Sequence, residues 1–321
     1  MYILIAICRL GWGWSPGRES PIAIDMTPLD VKEVTIVTSF FCTPSKTVSI
    51  NDQYKIRRFL NLHDNMIIFS TETHIPYLQS IRTFPGKSKF INVSLEDVKV
   101  VKDFGGIDFW QQQEFQDPQL HDVVPDKLLY ILRNSKGYFL EQAIALNPFA
   151  TEFFIWVDMT YLHDSVLDNN RMIRFLPKSL SLDQVFFLNI SPHVKGTMEL
   201  SGQIIGGYKN GLSRWIKEYY TVLHAHEESF LGNEQPWLMS TCLQNPGLCF
   251  LVQARDTYGN PEYFMAHLLH GMSQYGVLDN LQHFFRSTRL YLLIQWSMEK
   301  PIEYSSAFSC EKQKSLLTAA E

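Results

Sequence analysis

Asp158 follows the most hydrophobic run of the chain, Phe153 to Val157. A carboxylate directly after a buried strand is placed to hold a divalent cation that bridges a diphosphate. Such a cation, manganese or magnesium, would neutralise the charge on a departing nucleoside diphosphate. The usual paired form is Asp-x-Asp, but Thr160 occupies the second position, and His163 and Asp164 lie slightly further on as stand-ins. An aspartate after a strand also serves as a turn former or helix cap. Residue pattern alone weighs these two readings equally.

Glu234 and Gln235 follow Gly232 at the start of a helical stretch. A carboxylate there could act as general base on an acceptor hydroxyl in an inverting transfer. In isolation, a side chain that favours the helix dipole explains it as well. His267 and His270, three apart, could share a helical face and complete a metal site, although their spacing suits surface or core histidines better. Gly202, Gly206 and Gly207 permit close approach of backbone to a ligand, or a tight bend. Phosphate-loop, nucleophile-elbow and His-Glu-x-x-His motifs are absent, which lowers hydrolase and zinc-protease readings.

The elements that would carry these residues follow from pattern. Val34 to Phe41 and Met66 to Phe69 are β-branched and aromatic runs suited to buried strands, with a helix predicted between them from Tyr54 to Leu62. Strand, helix, strand over this length is the unit of a parallel sheet. Further strands are predicted at Phe90 to Val93, Phe153 to Val157, Phe186 to Asn189 and Leu248 to Val252, and a strand or turn at Gly202 to Gly207. One helix is predicted to begin near Pro125 with the stripe Leu128, Leu129 and Leu132. A second carries Phe139, Ala143 and Leu146 and stops at Asn147-Pro148. Leu212, Trp215, Ile216, Tyr219, Tyr220 and Leu223 recur at helical spacing.

Composition sets outer limits. With 321 residues, 45% hydrophobic and 19% charged, the chain can bury a sizeable core. Its net charge of −5, without a basic stripe, argues against a nucleic-acid partner. The aromatic share, 13%, fits an ordinary core first and carbohydrate stacking second. Five cysteines at irregular spacing read as single buried thiols rather than a disulfide framework or zinc site. Met1 to Cys8 is apolar but interrupted by Arg9, too short for a spanning helix and unlike a signal peptide, which leaves the remnant of a membrane anchor as one reading. The expected organisation is a leader over residues 1–32, an α/β domain over 33–277 and a tail over 278–321. Asn92-Val-Ser94 fits a glycosylation acceptor, a triplet common by chance. The compartment, cytoplasmic or lumenal, stays open.

Five stretches taken in order carry a resemblance: TIVTSFF (Thr35 to Phe41), MIIFST (Met66 to Thr71), SKGYFLEQAIALNPFATEFFIWVDM (Ser135 to Met159), SGQIIGG (Ser201 to Gly207) and NEQPWLM (Asn233 to Met239). This arrangement resembles the HtrL/YibB-like (WlaTC/HtrL) family, found near surface-polysaccharide genes and thought to be glycosyltransferases of GT-A type. The resemblance implies a GT-A-like α/β domain with a mostly parallel central sheet flanked by helices. It implies a nucleotide-sugar donor, a glycan or glycolipid acceptor and a divalent metal. By position, Asp158 would be the metal or diphosphate acid, Lys136 would approach the nucleotide, Ser201 to Gly207 would line the sugar and acceptor pocket, and Glu234 would lie near the reacting hydroxyl. Family members tend to show Trp-Val-Asp-x-Gly, and Thr160 stands where that glycine falls. A catalytically inactive member that binds nucleotide or glycan is the alternative.

Overall fold

The computed structural model describes residues 26–28, 34–42, 50–117, 127–161, 172–190, 199–253 and 264–270. Along the chain run β1 (Met26–Pro28), β2 (Val34–Phe40), α1 (Ile50–Leu60), β3 (Asn65–Ser70), α2 (Ile75–Ile81), β4 (Ser88–Asn92), α3 (Lys99–Asp103) and α4 (Ile107–Gln116). There follow α5 (Lys127–Asn134), α6 (Lys136–Leu146), β5 (Phe153–Val157), β6 (Phe175–Pro177), β7 (Val185–Asn189), β8 (Leu200–Tyr208), α7 (Lys209–Ala225), α8 (Gln235–Gln244), β9 (Cys249–Gln253) and α9 (Phe264–His270). A seven-stranded sheet in the order β4-β3-β2-β5-β8-β7-β9 forms the centre, and β1 pairs with β6 apart from it. In the central sheet β8 alone runs against the others. The expected α/β class and mostly parallel sheet are therefore observed.

Both faces of the sheet are covered, which is why its strands read as unbroken apolar runs rather than alternating ones. Ile36, Phe153, Ile155 and Phe186 pack on one face with Ile56, Phe59 and the described side chains of α9. Val37, Phe154, Trp156 and Phe187 pack on the other with Phe139, Trp215 and Tyr219 from α6 and α7. Trp110, Trp215 and Tyr219 are fully buried, so the aromatic excess is largely core. The predicted helix stop is seen at Asn147, whose left-handed backbone (φ 33°) ends α6 and whose amide bonds Thr151.

Two features depart from expectation. Short helices α2, α3 and α4 join β3 and β4 to the rest and carry no strong periodicity. Of the two readings of Gly202 to Gly207, strand or turn, the structure has strand. The cysteines are not all single thiols: Cys242 and Cys249 form a disulfide with Cα atoms 5.5 Å apart, tying the end of α8 to β9, and Cys42 is disulfide-bonded as well. Among the described residues no helix is long and apolar enough to cross a membrane.

A buried polar node fixes the β3 end of the sheet. The Arg82 guanidinium donates to the carbonyls of Leu60, Leu62, Asp64 and Lys87 (2.6–3.2 Å), closing the end of α1 onto the start of β3. The Asp64 carboxylate accepts the Ile173 amide at 3.1 and 3.2 Å. Burial pushes this carboxyl from 3.8 up to about 7, against the pull of the Ile173 bond and of Lys87 and Arg82. The folded state therefore holds this proton more tightly than the unfolded chain, and stability from this group is full below 3.8 and lost as pH rises through about 7. Asp64→Asn removes that dependence and keeps an acceptor for Ile173. Its stability relative to wild type should rise by up to about 4 kcal/mol between acidic and mildly basic pH. Urea midpoints of both proteins at the two ends of this range check it; an unchanged difference would refute the assignment.

Candidate active site

Strand order reverses between β2 and β5, where β3 and β4 extend one way and β8, β7 and β9 the other. Neighbouring strands part at such a point, and ligands bind outside their carboxyl ends. The parting is visible in the hydrogen bonds. Backbone pairing of β2 with β5 stops at Val37 and Trp156, and the Thr38 hydroxyl takes the Val157 carbonyl instead, at 2.7 Å. On the other side the Ser70 hydroxyl takes the Phe40 carbonyl. Here opens a cleft of about 840 Å³, within the ordinary range for a small-molecule site. It is lined by Ser39 to Cys42 at the end of β2, Asp158 to Thr160 after β5, Leu129, Leu132, Arg133 and Lys136 on α5 and α6, and Asn233 to Pro236 at the start of α8. Because β8 runs the opposite way, its beginning, Ser201 to Gln203, faces the same opening.

At the floor sits the Lys136 ammonium. It donates to the Gly202 carbonyl at 2.8 Å and to Glu234 Oε1 at 3.0 Å, and lies 3.5 Å from Asp158 Oδ2. Asp158 is held on its other oxygen by the Trp156 indole N–H at 2.7 Å, and its amide donates to the Gln203 carbonyl. Arg133 Nε stands 3.6 Å from Glu234 Oε2. Burial works against the charge on Lys136, but Asp158 and Glu234 outweigh it and raise its pKa. Burial likewise opposes ionisation of Glu234, and Lys136 and then Arg133 overcome it, so this carboxyl lies below its ordinary range. For Asp158 burial wins over Lys136 and the Trp156 bond, with Glu234 adding to it, and the pKa rises.

Local structure explains the precision of this cluster. Helices α5 and α6 abut at Ser135, whose hydroxyl bonds the Ile131 carbonyl, so Arg133 and Lys136 sit one turn apart on nearly continuous helix. The loop that brings Glu234 is pinned at Leu231 on both polar groups: its N–H donates to the Gln113 side chain at 2.5 Å, and its carbonyl accepts from Asn134 at 2.8 Å. Asn134 is oriented in turn by the Tyr219 hydroxyl at 2.9 Å. A Cβ at Gly202 would lie 2.7 Å from Glu234 Oε1 and 3.0 Å from Lys136 Nζ, so only glycine admits both side chains there.

Of the residues singled out in the sequence, Asp158, Lys136, Ser201, Gly202, Glu234 and Gln235 meet at this cleft. Gly206 and Gly207 do not, which corrects the expectation that they line it. Their lack of a side chain makes room for protein instead: an added Cβ would meet the Phe186 ring at 2.4 Å and the Gln184 carbonyl at 2.8 Å respectively. Helix α9 carries His267 and His270, whose side chains lie outside the described residues, as do His163 and Asp164; none of the described residues of α9 lines the cleft. Thr160 lines it without a positive φ, so the turn after Asp158 tolerates a Cβ.

Among the described residues no three His, Cys, Asp or Glu side chains group around a metal position. Magnesium and manganese need less than that when a diphosphate is present: one or two carboxylates, with phosphate oxygens and water completing the shell. Asp158, its side chain 30% exposed, fits that requirement.

The family model described as "Bacterial protein of unknown function (HtrL_YibB)" matches residues 32–236. The chain belongs to this family. It is 25% identical over 212 residues to Protein HtrL of Escherichia coli, covering 59% of this chain and 70% of that protein. Among solved structures, it is similar to a glycosyltransferase involved in glycosylation of the major capsid of PBCV-1 (14% identity, TM-score 0.33, covering 69% of this chain and 82% of that one). It is also similar to mouse xyloside xylosyltransferase 1 (11%, 0.37, covering 74% and 92%). A third is a cytidylyltransferase from Leptospira borgpetersenii (9%, 0.34, covering 85% and 98%). At such TM-scores these likenesses carry no argument about function.

The HtrL_YibB match contains every member of the Lys136 cluster, whereas β9, α9 and the Cys242–Cys249 disulfide lie beyond it. Arg133, Trp156 and Asn134 are site residues that sequence reasoning missed. The three-residue spacing of Arg133 and Lys136 on predicted helix was the available signal for the first.

Removing the central cation leaves the buried Glu234 and the half-buried Asp158 without it. Lys136→Met should lose roughly 3–5 kcal/mol of stability. Adding Glu234→Gln should restore part of that loss. Denaturation of the two single variants and the double variant measures the coupling, and additive losses would show that Lys136 and Glu234 do not interact.

Proposed function

We propose that this protein is a glycosyltransferase of GT-A type, moving a sugar from a nucleoside diphosphate to a hydroxyl of a glycan or glycolipid with the help of a divalent cation. The observation that carries this reading is the convergence of Asp158, Arg133 and Lys136 in one cleft at the point of strand reversal. The apolar wall of Phe41, Leu129 and Leu132 suits a flat base, and the polar floor suits phosphates and sugar hydroxyls.

Charge gives the cation its place. Asp52, Asp117, Asp158 and Glu234 line the cleft against two basic side chains, Arg133 and Lys136. A diphosphate entering that field is repelled unless a cation comes with it. Asp158 would hold manganese or magnesium, which when bound neutralises charge on the leaving diphosphate. Arg133 and Lys136 would orient the phosphates. Gln235 and Ser201 would contact the sugar, and Glu234 would accept the proton of the attacking hydroxyl. His267 and His270 are assigned no part in this arrangement.

One observation favours a second reading, that of a nucleotide- or glycan-binding module without transfer. Glu234 is paired with two cations and its pKa is lowered, a poor state for a base.

Thermal-shift measurements with a panel of nucleoside diphosphates and their sugar esters, with and without manganese, separate these readings. One nucleotide at a hundredfold excess over its Kd should stabilise the protein by roughly 2.7 kcal/mol, only with metal. Asp158→Ala should abolish the shift, and sugar release from the matching donor should accompany binding. Metal-independent glycan binding that survives Asp158→Ala supports the module; no response to any nucleotide rules out the donor site.

A further inference from the structure

Arg133 is the unusual side chain of the cleft. Its side chain is 39% exposed, and among the described residues its guanidinium makes no hydrogen bond. Its nearest anion, Glu234 Oε2, lies 3.6 Å from Nε, an ion pair without hydrogen-bond contact. The other basic group, Lys136, is by contrast committed to the Gly202 carbonyl and Glu234 Oε1. The Glu234 carboxylate thus spans the two cations, one oxygen toward each. A guanidinium and an ammonium one helical turn apart, facing one carboxylate, are arranged as a receptor for two neighbouring anionic oxygens.

We propose that Arg133 and Lys136 form an anion site for a diphosphate and that Glu234 occupies it as an internal stand-in until the ligand arrives. The choice of diphosphate as ligand rests on the transferase reading; the competition itself rests on the geometry. The incoming phosphate oxygens take the open donors of Arg133, and Glu234 gives up its place beside that guanidinium. The loop cannot follow, because Leu231 is pinned by Gln113 and Asn134, so the exchange is one of side chains alone. Freed from one of its two cations, Glu234 becomes a stronger proton acceptor at the moment the donor is bound. The paired state seen in the absence of ligand is then the resting state of a base rather than the sign of a dead site.

Competition of this kind makes a counterintuitive demand: weakening a carboxylate in the site must strengthen anion binding. Titration calorimetry with inorganic pyrophosphate on the full chain tests it, first with a chelator and then with magnesium. Glu234→Gln should bind pyrophosphate about threefold to tenfold more tightly than wild type. Arg133→Met should bind at least about tenfold more weakly, with Arg133→Lys between it and wild type. Should Glu234→Gln fail to fold, Glu234→Asp keeps the charge for Lys136 while withdrawing it from Arg133, and it too should bind more tightly. Unchanged or weaker binding by the Glu234 variants overturns the proposal. So does an Arg133→Met protein that binds like wild type, or a wild type that binds no pyrophosphate in either condition. The two readings separate cleanly. Pyrophosphate binding with this variant pattern but no response to any nucleotide sinks the transferase and leaves the anion site standing. Nucleotide binding that needs Asp158 and metal, with Glu234 variants indifferent, does the reverse.

Discussion

A lysine ammonium with 8% of its side chain exposed has to be neutralised where it stands. Leaving it alone would cost several kcal/mol, and the surrounding chain is arranged so that it never is. Lys136 draws together a carboxylate after β5, a carboxylate before α8 and a carbonyl at the start of β8. Each of the three belongs to a different element, so the ammonium acts as a gauge for the distances between them. Moving any one partner outward weakens the compensation of the buried ammonium.

Around this gauge the scaffold is stiff. The indole of Trp156 fixes Asp158 from the strand side, the buried amides of Gln113 and Asn134 fix the loop that carries Glu234, and the missing side chain of Gly202 keeps the ion pair from being forced apart. The hydroxyls of Thr38 and Ser70 satisfy carbonyls where strands separate, which lets the cleft open without stranding backbone groups. The Arg133 side chain, 39% exposed and without a hydrogen bond among the described residues, is the least constrained member. A rigid cage with one adjustable arm can accept an anion without remodelling its backbone.

Much of this is legible in the sequence. The buried strands announce themselves as apolar runs because both faces of the sheet are covered; Asp158, Gly202 and Glu234 stand out by residue type and place, and Lys136 only through the family resemblance. The glycines of β8 are indeed sites of close approach. Yet for Gly206 and Gly207 the approaching atoms belong to Phe186 and Gln184, and glycine alone does not say what comes near. The direction of β8 is hidden, since strand polarity is set by how a connection returns and leaves no trace in composition. Helices α2 to α4 are short and of mixed polarity, below the length at which periodicity speaks. The Cys242–Cys249 pairing joins a helix end to an edge strand, and spacing alone does not reveal it.

The reversed strand β8 has a consequence for how the molecule is assembled. It bonds β5 on one side and β7 on the other, and so welds the parallel block β4-β3-β2-β5 to the pair β7 and β9. Lys136 meets Gly202 and Glu234 across 66 and 98 residues of chain. Contacts of such span carry the entropic cost of closing the intervening loops. A chain with its strands and helices already formed but β8 undocked would look folded to far-ultraviolet dichroism and have no cleft at all. The ion cluster thus depends on both blocks of the sheet, and the cleft is complete only when that strand is in place.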